Sequence, residues 1–400
     1  MILPSLSFAT VDNARVMPKG VSSVYFYAEF YFPTDERYDP DGDVERIDAD
    51  YQVSLDSSLS FLAEDLGFIE DLFGMEAGSA KIGDTVVGLE TTSTYAEVLY
   101  QYGLTDKLTI GFKIPYWWRE MDVSANVDTA DATLGVNPNF GVEGHPTAAL
   151  PFIPLAMGGI KNDTFATEFM QNAIGQMGYE RLESWSDDGI GDIELGGRYQ
   201  YFKNEKWRLA FTGAVRMPTG EVNSPDNLVD LDIGDGVWAL LFHSNNDYTA
   251  IDKLILNATL RYEWRLSSTE ELRILESPNQ PISPIKENVD RDLGDYFEVE
   301  ASAEYEFIPG LSGSLLYRYG YKFKDEVSGS KGYNYQPLED ETDYTAHIYI
   351  VGLKYSTIPL YKEKKFSVPL DFTIGYRNRF AGSNNALKSE YISAKLQVYF

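Results

Sequence analysis

Three histidines and no cysteine leave this 400-residue chain poor material for a transition-metal site. The stretch "FHSNND" sets His243 beside Ser244 and Asn245, the residue types of nucleophilic catalysis. Neighbours on an extended strand point to opposite faces, so imidazole and hydroxyl cannot meet there. No catalytic residue and no enzyme activity are expected. "DPDGDVERIDAD" spaces Asp39, Asp41 and Asp43 as a calcium loop does, but Val44 stands where that loop needs glycine. It is a weak calcium candidate, and diffuse divalent cations at acidic loops fit it better. No cofactor is implied. The stronger chemistry is recognition. Tyr25, Tyr27, Tyr31, Tyr95, Trp117, Tyr391 and Tyr399 offer ring faces for stacking. Arg119, Arg216, Arg261, Arg265, Arg318, Lys322, Arg377 and Arg379 offer cations for a carboxylate or phenolate.

What could bring these residues together is a set of strands. In "KSEYISAKLQVYF", Ile392, Ala394, Leu396, Val398 and Phe400 fall on one face, and Tyr391, Ser393, Lys395, Gln397 and Tyr399 on the other. The pattern recurs in twelve segments, near 21–33, 93–104, 107–119, 190–202, 206–218, 235–244, 252–266, 295–307, 311–323, 343–355, 365–380 and 389–400. In the fifth, Trp207, Leu209, Phe211 and Val215 alternate with Arg208, Thr212 and Arg216. In the eighth, Phe297, Val299, Ala301 and Tyr305 alternate with Glu298, Glu300, Ser302 and Glu304. In the sixth and tenth the phase is ambiguous. Each is about as long as the roughly 9–11 residues a tilted membrane strand needs.

Composition agrees. Mean hydropathy is -0.28 and 24% of residues are charged, which excludes a helical membrane protein, yet 14% are aromatic. A membrane barrel combines these because only alternate residues meet lipid. The formal net charge of -29 argues against nucleic acid as a partner. The expected fold is all-β: a 12-stranded antiparallel transmembrane β-barrel spanning 21–400, after an N-terminal periplasmic or luminal segment, 1–20. "MILPSLSFAT" lacks a basic n-region, and a signal-peptide remnant over 1–9 and an ordinary chain start both stay open.

"LTDK", "KNEK", "NNDYTAI", "IPG" and "TIPLYKEKK" read as tight links, with "FHSNND" leading into the third. The intervening loops are long, the first two covering about 34–92 and 120–189. Short turns on one side and long loops on the other predict a bacterial outer-membrane barrel with periplasmic termini and extracellular loops. The partners expected are outer-membrane lipid, lipopolysaccharide and a small-molecule solute. The two large loops hold 16 acidic with 3 basic and 11 acidic with 2 basic residues, so they carry -22 of the net charge. In the first, Leu62, Leu66, Ile69 and Phe73 share one helical face, with Ser58 as its cap. A second helix is predicted around Phe165 and Phe169. These apolar segments act as lids or pack against each other and the rim.

Cations near the outer ends of upward strands face Asp192, Glu194, Glu298 and Glu300 across strand pairs, which predicts structural ion pairs. Arg318, Lys322, Arg377 and Arg379 flank a tenth strand offering only His347, so they are the set expected to attract a solute. The aromatic wall has two readings, a binding surface or the filling of a narrow barrel.

"YQYGLTDKLTIGFKIPYWW", "DDGIGDIELGGRYQYF" and "VRMPTGEV", with "ARVMPKG" before the first strand, resemble the outer-membrane family named for the meta-pathway of phenol degradation. The motifs cover the first half of the barrel best. That family is similar in outline to long-chain fatty-acid channels. The resemblance implies a porin-like passive channel taking up small hydrophobic or aromatic compounds. A plugged barrel for surface display, adhesion or an envelope complex is the alternative.

The outward apolar stripe predicts folding only in detergent or lipid. Unboiled protein should migrate differently from boiled protein on gel electrophoresis. A monodisperse folded species in detergent-free buffer would contradict the barrel.

Overall fold

The structure, a computed structural model, describes residues 12–275 and 282–400. The segment 1–9 weighed as a signal remnant lies outside the described residues. Twelve strands form the wall: β1 Ser22–Tyr31, β2 Lys81–Thr105, β3 Leu108–Asp128, β4 Ile193–Lys203, β5 Trp207–Met217 and β6 Ala239–Ile251, then β7 Leu254–Arg265, β8 Tyr296–Ile308, β9 Leu311–Lys322, β10 Tyr344–Ser356, β11 Leu370–Gly382 and β12 Glu390–Tyr399. Each pairs antiparallel with its sequence neighbour. β12 returns to β1 in continuous register from Ser23↔Tyr399 to Tyr31↔Tyr391, so the sheet closes. No helix among the described residues is long and apolar enough to cross a membrane.

The alternation read from sequence sets the two faces. Phe26, Phe30, Phe112, Leu195, Phe211, Leu260, Leu315, Val351, Ile374 and Ile392 are exposed around the outside. Their neighbours in sequence point into the interior and are buried. In β6 the inward set is Ala239, Leu241, His243, Asn245 and Asp247. In β10 it is Ala346, Ile348 and Ile350, apolar residues facing inward, and a register shift lies between His347 and Ile348. An apolar inner face explains the ambiguous phase of the tenth segment.

Several expectations need correction. "NNDYTAI" is not a link: β6 runs to Ile251 and the turn is at Asp252 and Lys253, with Lys253 at φ 60. Consequently "FHSNND" lies mid-strand. β2 and β3 pair from Thr105↔Leu108 up to Asp84↔Asp128, far past the predicted ends at 93 and 119. The first two outer segments are therefore partly a β-hairpin. Trp185–Ile190 adds a further strand against Tyr116–Met121.

Two helices pack on that hairpin, α1 Ser60–Phe73 and α2 Asp163–Gln176. Leu62, Leu66 and Ile69 of α1 join Ala166, Met170 and Ile174 of α2, Ile82, Val87 and Leu89 of β2, and Met121 and Val127 of β3 in a hydrophobic core of their own. Apolar residues on alternate hairpin positions are covered on one face, which keeps the ladder regular beyond the barrel. Ser58 does not cap α1. Leu59 is the N-cap and makes no side-chain cap bond, its side chain being buried in the core. At the other end Gly74 takes φ 67, and the buried Glu70 carboxylate accepts the N–H groups of Gly78 (2.9 Å) and Ala80 (2.8 Å). Asn162 caps α2 by accepting the Phe165 N–H at 3.1 Å.

The connection 218–238 folds inward over the barrel. Asp192 gathers it, accepting N–H groups of Thr219 (3.0 Å), Gly220 (2.9 Å) and Asp235 (2.9 Å). Gly220 and Gly234 pass so closely that a Cβ on Gly220 would sit 2.6 Å from the Gly234 Cα. In the same connection Asp230 accepts the Ser224 N–H at 2.6 Å while its second oxygen is buried without a partner. Burial, reinforced by Asp232 and Glu180, pushes its carboxyl up to about 6. The folded segment thus holds a proton that the free chain releases near pH 4, roughly the ordinary Asp value. Its local stability should fall as pH rises from about 4 through about 6. Hydrogen exchange of 224–232, corrected for intrinsic rate, should accelerate over that window in the wild type and lose the pH dependence in Asp230→Asn.

Candidate functional site

Closure aims every second residue of twelve strands at one interior, and the inward residues sort into three groups. The first is aromatic. Tyr25, Tyr27, Tyr95 and Trp117 form one buried cluster with Leu99 and Ile233, and Tyr31 packs on it. Tyr95 and Trp117 have ring centroids 4.6 Å apart, Tyr31 and Trp117 6.3 Å, and Tyr31 and Tyr391 4.8 Å. Tyrosine hydroxyls are buried, so each needs a partner. Tyr27 and Tyr31 donate to Glu29, both at 2.6 Å, while Tyr25 donates to Glu97 at 2.7 Å and Tyr95 bonds the same carboxylate. Tyr399 donates to Asp371 at 2.8 Å nearer the turn end. Glu29, Glu97 and Ile233 escaped the sequence reading. The two glutamates stand on the inward phase of their strands and were legible there; Ile233 comes from a connection whose path only folding fixes.

The second group is a web of ion pairs. Arg216 reaches Glu194 (3.1 Å), Asp235 (3.0 Å) and Glu263 (2.8 Å), and Arg265 meets the same Glu263 at 2.8 Å. Arg261 contacts Glu298 and, at 3.0 Å, Glu300. Lys113 bonds Glu194 at 3.0 Å. Arg318 belongs here too, with Glu298 at 3.1 Å and Glu300 at 2.8 Å, and Lys322 pairs with Asp325 and bonds the Thr342 carbonyl at 2.9 Å. The expectation that Arg318 and Lys322 are free to attract a solute is therefore wrong. Strand pairing sets Glu300 opposite Arg318. His347, expected near them, is on the outer face, bonded to the Tyr317 hydroxyl at 2.8 Å.

The third group is Arg119, Arg377 and Arg379. Among the described residues none has a carboxylate within ion-pair distance, although their exposures are 6%, 5% and 3%. Arg119 lies 4.3 Å over the Trp117 ring and Arg377 5.0 Å over Tyr391. Arg377 also donates to Ser389 (3.2 Å), and Arg379 to the Leu387 carbonyl (2.7 Å). The Nε atoms of Arg119 and Arg379 are buried without a hydrogen-bond partner. Ring faces offset part of the cost of burying these cations. The chain Arg119, Trp117, Tyr31, Tyr391, Arg377 forms an arc with an aromatic middle and a guanidinium at each end.

Toward the turn end, the chain before β1 crosses the interior. Asp12 is 1% exposed and its carboxylate meets Arg198 (2.6 Å), Arg261 (3.2 Å) and His243 Nδ1 (3.2 Å). Arg198 donates to the Asn13 carbonyl and Gln200 to the Ala14 carbonyl, both at 2.6 Å. Asp247 accepts the Ala14 N–H at 3.1 Å, and Thr109 the Met17 N–H at 2.7 Å. Below this strap is a polar cavity of about 160 Å³ bordered by Arg15, Tyr25, Lys354, Asp371, Lys395 and Tyr399.

The remaining candidates stay apart. His243 points inward to Asp12 while Ser244 is on the opposite face of β6. Asp39 spends one oxygen on the N–H groups of Asp41 (2.9 Å) and Asp43 (2.8 Å), and no group of three potential ligands is assembled among the described residues. The spacing serves a turn; the calcium reading finds no ligand set.

The second and third groups should separate in stability. Arg261→Met leaves Glu298, Glu300 and Asp12 under-compensated and should cost about 3–5 kcal/mol. Arg377→Gln strands no carboxylate and should cost less than about 1 kcal/mol. Urea unfolding in detergent measures both; equal losses would erase the distinction.

A profile of the family named for the MetA-pathway of phenol degradation matches residues 127–387. That range takes in the later strands, correcting the expectation that likeness concentrates in the first half, and it starts beyond the Tyr100–Trp118 stretch. No curated protein matches the chain in sequence. Among solved structures, an outer membrane channel from Pseudomonas putida F1 is 13% identical, covers 100% of both chains and superposes with a TM-score of 0.54. A FadL homologue from Pseudomonas aeruginosa is 11% identical over 96% of this chain and 90% of its own, at 0.34. The CymD monoaromatic hydrocarbon channel is 10% identical over 96% and 88%, at 0.33. The first shares the overall fold; the other two are too distant in structure to carry an argument. With 127–387 amounting to more than half its length, the chain belongs to the family named for the MetA-pathway of phenol degradation.

Proposed function

We propose that the protein is an outer-membrane passive channel for small hydrophobic or aromatic organic molecules, with its termini and short turns in the periplasm and its hairpin-and-helix cap outside. The observation that carries this reading is the arc of Arg119, Trp117, Tyr31, Tyr391 and Arg377: ring faces beside buried cations that no carboxylate of the described chain neutralises. Such an arc favours flat aromatic solutes, and phenolic or carboxylate-bearing ones more, because an anion relieves the buried charge. Tyr25, Tyr27 and Tyr95 extend the ring surface, and Arg379 adds a cation beside Arg377. Arg216, Arg265, Arg318 and Lys322 act as struts that hold the wall. The neighbour from Pseudomonas putida F1 being an outer membrane channel supports the class. The acidic cap is suited to divalent bridging with lipopolysaccharide.

In this reading residues 21–400 are one barrel domain and 1–20 an N-terminal periplasmic or luminal segment. The strap at Asp12 to Met17 favours a second reading. If it never releases, the barrel is a plugged platform for surface display.

Reconstituted liposomes decide between them. Wild-type protein should pass a small aromatic such as benzoate faster than a sugar such as xylose. Tyr31→Ala with Trp117→Ala should slow benzoate and speed xylose, because stacking surface is lost while space is gained. If both solutes speed up together, the rings are filler. If neither passes, and Asp12→Ala does not release them, the platform reading stands.

A further inference from the structure

We propose that the cap contains a separate capture site for a neutral apolar molecule, in a cavity between α1, α2 and the β2 arm of the hairpin. The cavity measures about 570 Å³, within the range of roughly 300–1,000 Å³ typical of small-molecule pockets. Its walls include Leu59, Leu62, Val87, Phe169, Met170 and Ile174.

Of the polar groups on its border, the Tyr51 and Thr85 hydroxyls are committed inside the protein, and the Asp50 carboxylate lies at the solvent-exposed rim. The Tyr51 hydroxyl donates to the Leu228 carbonyl at 2.6 Å, the Thr85 hydroxyl donates to the Tyr51 carbonyl at 2.6 Å, and Asp50 is held by Arg37 at 2.7 Å. A ligand there would find dispersion and desolvation but no waiting hydrogen bond. That selects a neutral molecule with no obligatory polar group, such as a simple aromatic or a short alkyl chain. Water gains little in such a space, since it needs two to four polar partners.

The site is also connected to the interior by chain. Leu228 borders the cavity, and Ile233 of the same connection packs on the Tyr25, Tyr27, Tyr95 and Trp117 cluster. Occupation of the cavity bears directly on the segment that ends against the aromatic wall. The cavity's role as an intake stage rests on the channel reading; its capacity to bind does not.

Iodobenzene is a suitable probe because iodine scatters anomalously. Crystals of the wild-type protein soaked in it should show an iodine peak between α1 and α2. Ala173 lines the cavity, so Ala173→Phe places a ring in the same space and should abolish the peak while leaving the melting temperature unchanged or higher. Val87→Phe fills from the hairpin side and serves if the first variant fails to fold. In liposomes the filled variant should take up dilute naphthalene several-fold more slowly, with unchanged uptake at saturating naphthalene and unchanged chloride conductance. Absence of the wild-type peak overturns the site. A peak that the variant removes with no effect on dilute uptake means binding at crystal concentration only, and overturns capture. A peak in crystals of a wild-type protein that passes no solute leaves the site standing and refutes the channel instead.

Discussion

Everything in this molecule depends on the pairing of β12 with β1. A sheet edge in hydrocarbon would carry unsatisfied N–H and C=O groups that no solvent relieves, each costing several kcal/mol by order of magnitude. Closure removes the edge, and in doing so it divides the side chains into an apolar outer belt and an enclosed interior. The inward Arg, Glu and Tyr residues become neighbours only because the wall is round. Tyr31 and Tyr391 are 360 positions apart in sequence yet pair across the seam.

Enclosure makes the interior an electrostatic problem, and the protein solves it in two ways. Most buried cations are matched to acids one strand away, as Arg318 is to Glu300 and Arg216 to Glu194. Breaking such a pair exposes a charge that the surroundings cannot solvate, so these residues hold the barrel's shape. Arg119, Arg377 and Arg379 are handled differently, resting on rings, a hydroxyl and a carbonyl. In the proposed channel, the difference between a strut and a recognition element would lie in this partnering and not in residue type.

The cap solves a different problem. The β2 and β3 strands outrun the roughly 9–11 residues that a bilayer crossing takes, and beyond it their ladder needs a cover from water. α1 and α2 supply one, giving an acidic, water-facing unit with its own hydrophobic core. Most of its charge faces solvent while most charges of the lumen are matched internally, so the net -29 says little about the interior.

Strand number, strand direction and the inward phase were determined by the sequence itself, because side chains alternate strictly along a strand and lipid tolerates polarity on only one side. The twelve predicted segments all appear, and α1 and α2 lie where apolar spacing set them. Where local pattern lacked contrast it misled. Ala346, Ile348 and Ile350 made β10 apolar on both faces, and polar Asn245 and Asp247 passed for a turn although the lumen accepts polar side chains. The Ser58 cap failed because burial of Leu59 outweighed a local hydrogen bond. Partnership was legible only in part: the pairing of strand-end cations with Glu194, Glu298 and Glu300 followed from strand neighbours, but which cation would be left without an acid did not. Arg318 and Arg377 look alike along the chain, and only the register of β8 beside β9, and of β11 beside β12, gives one a carboxylate and the other a ring. The path of 218–238, the strap at Asp12 and the cavity under the helices likewise arise from contacts between distant segments, which a periodicity of two carries no information about.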